Sequence, residues 1–232
     1  LTGPSASGKT TSAHKVAEAL EASGTPAHVI SLDNFFKGAQ YYPRLPDGTL
    51  DYENPDTLDM SLIRQCLSDL STTGKTVLPI YDFTTESRSS ETETLDLKGG
   101  VCIVEGIHAL NPEVTGYDGR TTRIYVSVRT RITPRSGHPL HPSKIRLVRR
   151  MLRDRTGRGR ALSETIAMRE RVDRGEQRYI MPFKPRAHGS IDSFYSAELG
   201  VYRPLLLDDL ERLALPEPVS YTHLRAHETL AN

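Results

Sequence analysis

Apolar positions along the chain recur with two periods. Spacings of three and four predict helices over residues 11–20, closed by Ala19 and Leu20, and over 58–70, through Leu58, Leu62, Ile63, Cys66, Leu67 and Leu70. The same spacing predicts a helix over 144–154 around Ile145, Leu147, Val148, Met151 and Leu152, a second one reaching about Arg174, and a last one over 197–213. Short apolar runs predict strands at 27–32, 100–104 and 123–128, with an edge strand near 190–193. Residues 76–83 and 91–97 alternate with period two around a polar turn, the pattern of a hairpin outside the main sheet. Strands alternating with helices imply an α/β fold with a parallel, doubly wound sheet.

One motif turns this layout into chemistry. Gly3-Pro4-Ser5-Ala6-Ser7-Gly8-Lys9-Thr10 fits G-x-x-x-x-G-K-S/T, a phosphate-binding loop opening a helix. Its glycines permit torsions that let successive N–H groups converge on phosphate oxygens. Gly3, Ser5, Ala6, Ser7, Gly8, Lys9, Thr10 and Thr11 are the expected ATP-binding residues, with Lys9 on the β- and γ-phosphates and Thr10 on Mg²⁺. A chance Gly/Ser-rich turn is the bland alternative. Such a loop normally follows a buried strand, yet only Leu1 and Thr2 precede Gly3, so the first strand is expected to be largely missing.

In a parallel sheet the carboxyl ends of the strands face the ligand crevice. Asp33 and Glu105 each follow an apolar strand and should point toward the phosphate loop. Phosphoryl transfer needs a metal, a group for the acceptor proton and cations for the moving charge. Asp33 is the candidate base, and Glu105 with Thr10 the candidate Mg²⁺ site. A helix N-cap for Asp33 and an ion pair for Glu105 are the alternatives. Arg146, Arg149, Arg150 and Arg153 recur at three and four, beside the Gly/Arg stretch 156–160, as in a hinged lid closing over phosphates. A solvated charged face or a nucleic-acid surface is the competing reading.

Composition narrows the classes. A net charge of +1 with pI about 8.0 leaves no global basic field demanding nucleic acid. No run reaches the length of a membrane span, and Cys66 and Cys102 read as buried thiols of a reducing compartment, with cytoplasm as the expected location. Residues 217–232 change composition, and 219–232 look like translated sequencing-adapter read-through, so the domain is taken as 1–216 with its lid at about 143–175.

Taken in order, Gly3 to Thr10, Ser31-Leu32-Asp33-Asn34-Phe35-Phe36-Lys37, Tyr52-Glu53-Asn54-Pro55, Pro79-Ile80-Tyr81-Asp82-Phe83 through Ser87-Arg88, Val104-Glu105-Gly106-Ile107 and Arg146 to Arg160 resemble the uridine-cytidine kinases of the phosphoribulokinase/uridine kinase family. The resemblance runs from Leu1 to about Leu213. Glu105-Gly106-Ile107-His108-Ala109-Leu110-Asn111-Pro112 and Arg174-Gly175-Glu176 through Pro182-Phe183 look closer to a bacterial nucleoside-kinase branch with an upstream TGS-type region.

The resemblance implies ATP- and Mg²⁺-dependent phosphorylation of the 5′-hydroxyl of uridine or cytidine, in pyrimidine salvage. It implies Asp33 as base, Glu105 as the Mg²⁺-associated acid, and Arg150, Arg153, Arg158 and Arg160 as lid residues reaching phosphates. It also implies Glu53 on the ribose hydroxyls and Tyr81 at the pyrimidine. Glu86 stands where these enzymes commonly carry a His beside the base, and a carboxylate accepts hydrogen bonds without donating them, which opens the base preference. A nucleoside is the expected partner, with no membrane and no nucleic acid; a homo-oligomer is left open. A kinase of another small hydroxyl acceptor, phosphoribulokinase-like, or a non-catalytic nucleotide- or RNA-binding module are the rival functions.

Overall fold

The elements follow the predicted order: helix α1 (Lys9–Ala22), strand β1 (Ala27–Ser31), helix α2 (Met60–Thr73), strands β2 (Lys75–Asp82), β3 (Ser87–Asp96) and β4 (Val101–Glu105), and a short helix α3 (Pro112–Thr115). Strand β5 (Ile124–Ser127), helices α4 (Pro142–Gly157), α5 (Leu162–Ala167) and α6 (Arg169–Gly175), strand β6 (Gly189–Asp192) and helix α7 (Glu198–Arg212) complete them. The computed structural model describes residues 1–116, 121–133, 137 and 139–213, so the tail expected at 217–232 lies outside the described residues. The chain divides into two compact units.

The first unit holds Leu1–Pro4, Gly8–Ser127 and Arg171–Ile191. Strands β1 and β4 pair in parallel from Ala27↔Val101 to Ser31↔Glu105. Alternation along these strands feeds two cores. Ala27 and Ile103 pack with Ala13 and Ala17 of α1, whereas Ile30 packs with Ile63, Cys66 and Leu70 of α2. That is the two-sided burial of a doubly wound sheet.

Leu1 and Thr2 occupy the slot between β4 and β5. The Leu1 nitrogen donates to the Val104 carbonyl (2.6 Å) and its carbonyl accepts from the Gly106 N–H (3.2 Å). On the other side Thr2 N–H donates to Ile124 (2.9 Å) and its carbonyl accepts from Val126 (2.7 Å), a parallel bridge to Tyr125. Two residues of strand therefore pair on both sides.

Helix α2 starts where the Asp59 carboxylate accepts from Leu62 N–H (3.1 Å) and stops at Gly74, whose φ of 74° suits glycine. The hairpin β2–β3 runs antiparallel, with a bulge between Pro79 and Tyr81 that turns Tyr81 inward. The stretch 34–55 carries short 3-10 turns within otherwise irregular chain. Cys66 and Cys102 are both free thiols, and burial pushes the Cys102 thiol up to about 11.

The second unit holds Ser5–Ser7, Val128–Glu170 and the chain from Asp192. Leu147, Val148 and Met151 of α4 pack with Leu162 of α5 and Leu206 and Leu210 of α7. The single helix expected to run on to Arg174 is two, broken at Met168, where ψ of −11° interrupts the helical turn. No Gly or Pro marks that break. No helix among the described residues is long and apolar enough to cross a membrane.

Candidate active site

The phosphate loop enters α1 through Gly8, the residue before the helix, at φ 84°. Ala6 also takes a left-handed φ of 58°, so the loop is bent by a residue with a Cβ as well as by its glycines, at a cost of about 1–2 kcal/mol. The Lys9 ammonium folds back onto the Pro4 carbonyl at 3.1 Å. One turn into the helix, the Thr10 hydroxyl donates to Glu105 Oε1 at 3.0 Å.

Glu105 ends β4 and is 3% exposed. Its Oε1 accepts a second bond, from the Ser31 hydroxyl at 2.8 Å. Two hydroxyls thus meet on one carboxylate oxygen at the carboxyl end of the sheet. This all-oxygen set suits a hard divalent cation such as Mg²⁺, which keeps waters and phosphate oxygens as its other ligands. The sequence assigns Ser31 no role; its only signal there is its place near the end of the apolar run 27–32, and the register with Glu105 comes from the fold.

Ser31 also settles the local alternative for Asp33. The 3-10 turn Leu32–Phe35 is capped by Ser31, whose hydroxyl accepts from Asp33 N–H at 3.4 Å, so Asp33 is not the N-cap. Asp33 is half-buried, and among the described residues its carboxylate makes no hydrogen bond or ion pair.

Around the hairpin an aromatic cluster forms. Phe36 meets Tyr81 edge-on (centroids 5.4 Å apart) and Tyr81 meets Phe83 (5.1 Å), while Tyr42 packs edge-on against Tyr52 (5.6 Å). The Tyr81 and Tyr42 hydroxyls lie 3.1 Å apart, and burial together with this contact holds the Tyr42 phenol well above its ordinary range. Glu86, at the hairpin turn with φ 49°, accepts a long bond from the Tyr52 hydroxyl (3.5 Å). Tyr41 stays outside, 66% exposed.

Glu53 is buried, and its Cβ and Cγ lie against Gly175: a methyl group placed there would sit 2.4 Å and 2.6 Å from them. The Tyr179 hydroxyl donates to Asp51 (2.8 Å) and accepts from the Asn54 amide (3.1 Å). His108 is 1% exposed and close to main-chain groups of Glu53 and Tyr179, yet neither ring nitrogen completes a hydrogen bond. Burial pushes its pKa down to about 4, outweighing those two main-chain neighbours.

In the second unit several arginines face carboxylate partners. Asp154, 2% exposed, receives Arg153 (2.8 Å), Arg158 (3.8 Å) and Arg160 (3.8 Å). Its carbonyl also accepts the Arg158 and Arg160 N–H groups. Arg149 forms a bidentate pair with buried Glu198 (2.6 and 2.9 Å), and Arg150 is buried. Within the same unit Arg146 and Arg149 reach the Ser5 and Ala6 carbonyls and Arg153 the Ser5 hydroxyl, all at 3.3–3.4 Å. The single cationic face expected from spacing is therefore divided among internal partners. Asp154 escaped the sequence reading because one carboxylate inside an Arg-rich run looks like ordinary surface charge.

A phosphate loop before α1, parallel strands ending at Ser31 and Glu105, and helices on both sheet faces define a P-loop kinase fold. The chain belongs to the phosphoribulokinase/uridine kinase family, whose sequence pattern matches residues 1–199, and is a phosphotransferase with a hydroxyl acceptor. It is 34% identical over 185 residues to mouse uridine-cytidine kinase-like 1, covering 78% of this chain and 31% of that protein. It is 30% identical over 166 residues to the uridine kinase of Staphylococcus haemolyticus, covering 72% of each. A solved structure described as a possible uridine kinase from Bacillus stearothermophilus superposes with a TM-score of 0.55 at 18% identity, covering 82% of this chain and 85% of that one, which supports the fold. The chain spans about a third of the mouse relative's length and most of the bacterial one's.

Proposed function

We propose that the protein transfers the γ-phosphoryl group of ATP to the 5′-hydroxyl of a nucleoside, uridine or cytidine, a salvage reaction of the cytoplasm. The observation that carries this reading is the Thr10–Glu105–Ser31 cluster together with an unengaged Asp33 carboxylate two residues past Ser31 in the chain. Relatives named uridine kinase support the acceptor class.

Thr10 and Glu105 would hold Mg²⁺, which would supply positive charge to offset that of the phosphates. Phosphates would replace Pro4 as the partner of Lys9. Asp33 orients the acceptor hydroxyl and takes its proton. Arg153, Arg158 and Arg160 stabilise the charge of the transferring group, with Arg150 proposed alongside them. Glu53 accepts hydrogen bonds from the ribose hydroxyls, Tyr81 and its aromatic neighbours face the flat base, and Glu86 lies at the base edge.

An uncharged acceptor fits the two cations of the 34–55 stretch. Lys37 donates to the Asp56 carbonyl (3.1 Å) and Arg44 to the Gly48 carbonyl (2.7 Å), so both are spent on main chain instead of on a substrate phosphate. The test is product analysis with Mg-ATP and separate acceptors. Uridine or cytidine 5′-monophosphate is expected. Phosphorylation of ribulose 5-phosphate alone would favour the phosphoribulokinase-like rival, and ATP binding without any acceptor turnover would favour the binding module.

A further inference from the structure

The chain from Asp51 to Asn54 is held by three residues far away in sequence. Tyr179 bonds both Asp51 and Asn54; Gly175 leaves room for Glu53, whose Cβ a methyl group there would approach to 2.4 Å; and His108 lies buried beside the Glu53 main chain. Gly175 and Tyr179 belong to one device. Gly175 ends α6 and immediately precedes a π-helical turn, Glu176–Ile180, a rare conformation found mostly as short bulges and frequently at functional sites.

Each part of this arrangement is costly on its own. A helical glycine loses more backbone entropy than alanine would, a π turn is rare, and a buried imidazole without a completed hydrogen bond gives up its hydration. All three converge on four residues, and the group at their centre is a glutamate whose three side-chain torsions would otherwise leave its carboxylate free to wander.

We propose that Gly175, Tyr179 and His108 are positioning residues that clamp the 51–54 strap and so aim the Glu53 carboxylate at the acceptor's vicinal hydroxyls. This rests on the nucleoside-kinase reading above. The clamp selects acceptors carrying two adjacent hydroxyls, because a fixed carboxylate can accept from both at once, whereas a mobile one gains little from the second.

The test combines Gly175→Ala, Tyr179→Phe, His108→Leu and the more conservative His108→Gln with two readouts. Hydrogen exchange in the protein without nucleoside reports the clamp: amides of 51–54 should exchange at least tenfold faster in the first three variants, with those of 3–10 unchanged. Steady-state kinetics report its use. The KM for uridine should rise tenfold or more while the KM for ATP stays within twofold, the preference for uridine over 2′-deoxyuridine should shrink, and His108→Gln should recover part of both effects. Unchanged exchange at 51–54 overturns the clamp. Faster exchange with an unchanged uridine KM and an unchanged deoxy preference overturns its role in acceptor selection. A wild-type protein that phosphorylates no nucleoside sinks the functional reading instead, and the exchange result still decides the clamp.

Discussion

Ser31 and Glu105 face each other across the β1–β4 pair, and the Ser31 hydroxyl donates to Glu105 Oε1 over 2.8 Å. In-register partners on parallel strands project to the same sheet face, so the bond follows from the register and fixes the carboxylate before any ligand arrives. Ser31→Ala leaves Thr10 as the remaining donor. The Mg²⁺ concentration for half-maximal activity is expected to rise about tenfold or more, as for a lost hydrogen bond to a charged group, worth ~1.5–3 kcal/mol. Titration of Mg²⁺ at saturating ATP checks this, and the nucleoside KM should not move.

Asp33→Asn preserves shape while removing the proton acceptor. Turnover should fall by about 10²–10⁴-fold, the usual contribution of a positioned base, with ATP affinity nearly intact. Lys9→Ala should differ by weakening ATP binding too. Turnover within about tenfold of wild type in Asp33→Asn would take the base role away from it.

Asp154→Asn removes the charge on which Arg153, Arg158 and Arg160 converge. Breaking a buried pair is strongly destabilising, but these arginine side chains are 38%, 24% and 19% exposed, which lowers the expected loss to roughly 2 kcal/mol. For a chain of this size Tm should drop by about 4–8 °C in calorimetry. In addition kcat should fall by about tenfold or more, because three cations without their anchor repel one another.

Acid sensitivity should carry the mark of His108. Its folded pKa of about 4 lies below the ordinary value of 6.5, so as pH falls the unfolded chain takes up the proton first. The stability it contributes is complete above pH 6.5 and is lost between about 6.5 and 4, by roughly 3 kcal/mol. His108→Leu removes that group and should flatten the decline in Tm between pH 7 and pH 4.5 relative to wild type. Parallel declines in both proteins would show that the imidazole is not buried neutral.

Much of the architecture was legible because it is written in local periodicity. The strand runs before Asp33 and Glu105, the hairpin around Tyr81 and the Leu147–Met151 stripe of α4 all bury the faces their spacing announced. Three features were not legible. The break at Met168 has no breaker residue, and the π turn follows Gly175, whose close approach to Glu53 is a contact 122 positions away in sequence. Likewise, Arg149 and Arg153 share the spacing of a solvated cationic face, and only the fold reveals that Glu198 and Asp154 have claimed them.

Those internal claims bear on how the protein behaves in a crowded mixture of polyanions. Arg149, Arg153, Arg155, Arg158 and Arg160 each already face a carboxylate: Glu198, Asp154 or Asp209. A guanidinium already paired with a carboxylate gains less by neutralising a phosphate, and the counterions such neutralisation would release from a nucleic acid supply most of the drive for unspecific capture. A run of arginines that reads in the sequence as one basic surface is thus partitioned among Glu198, Asp154 and Asp209.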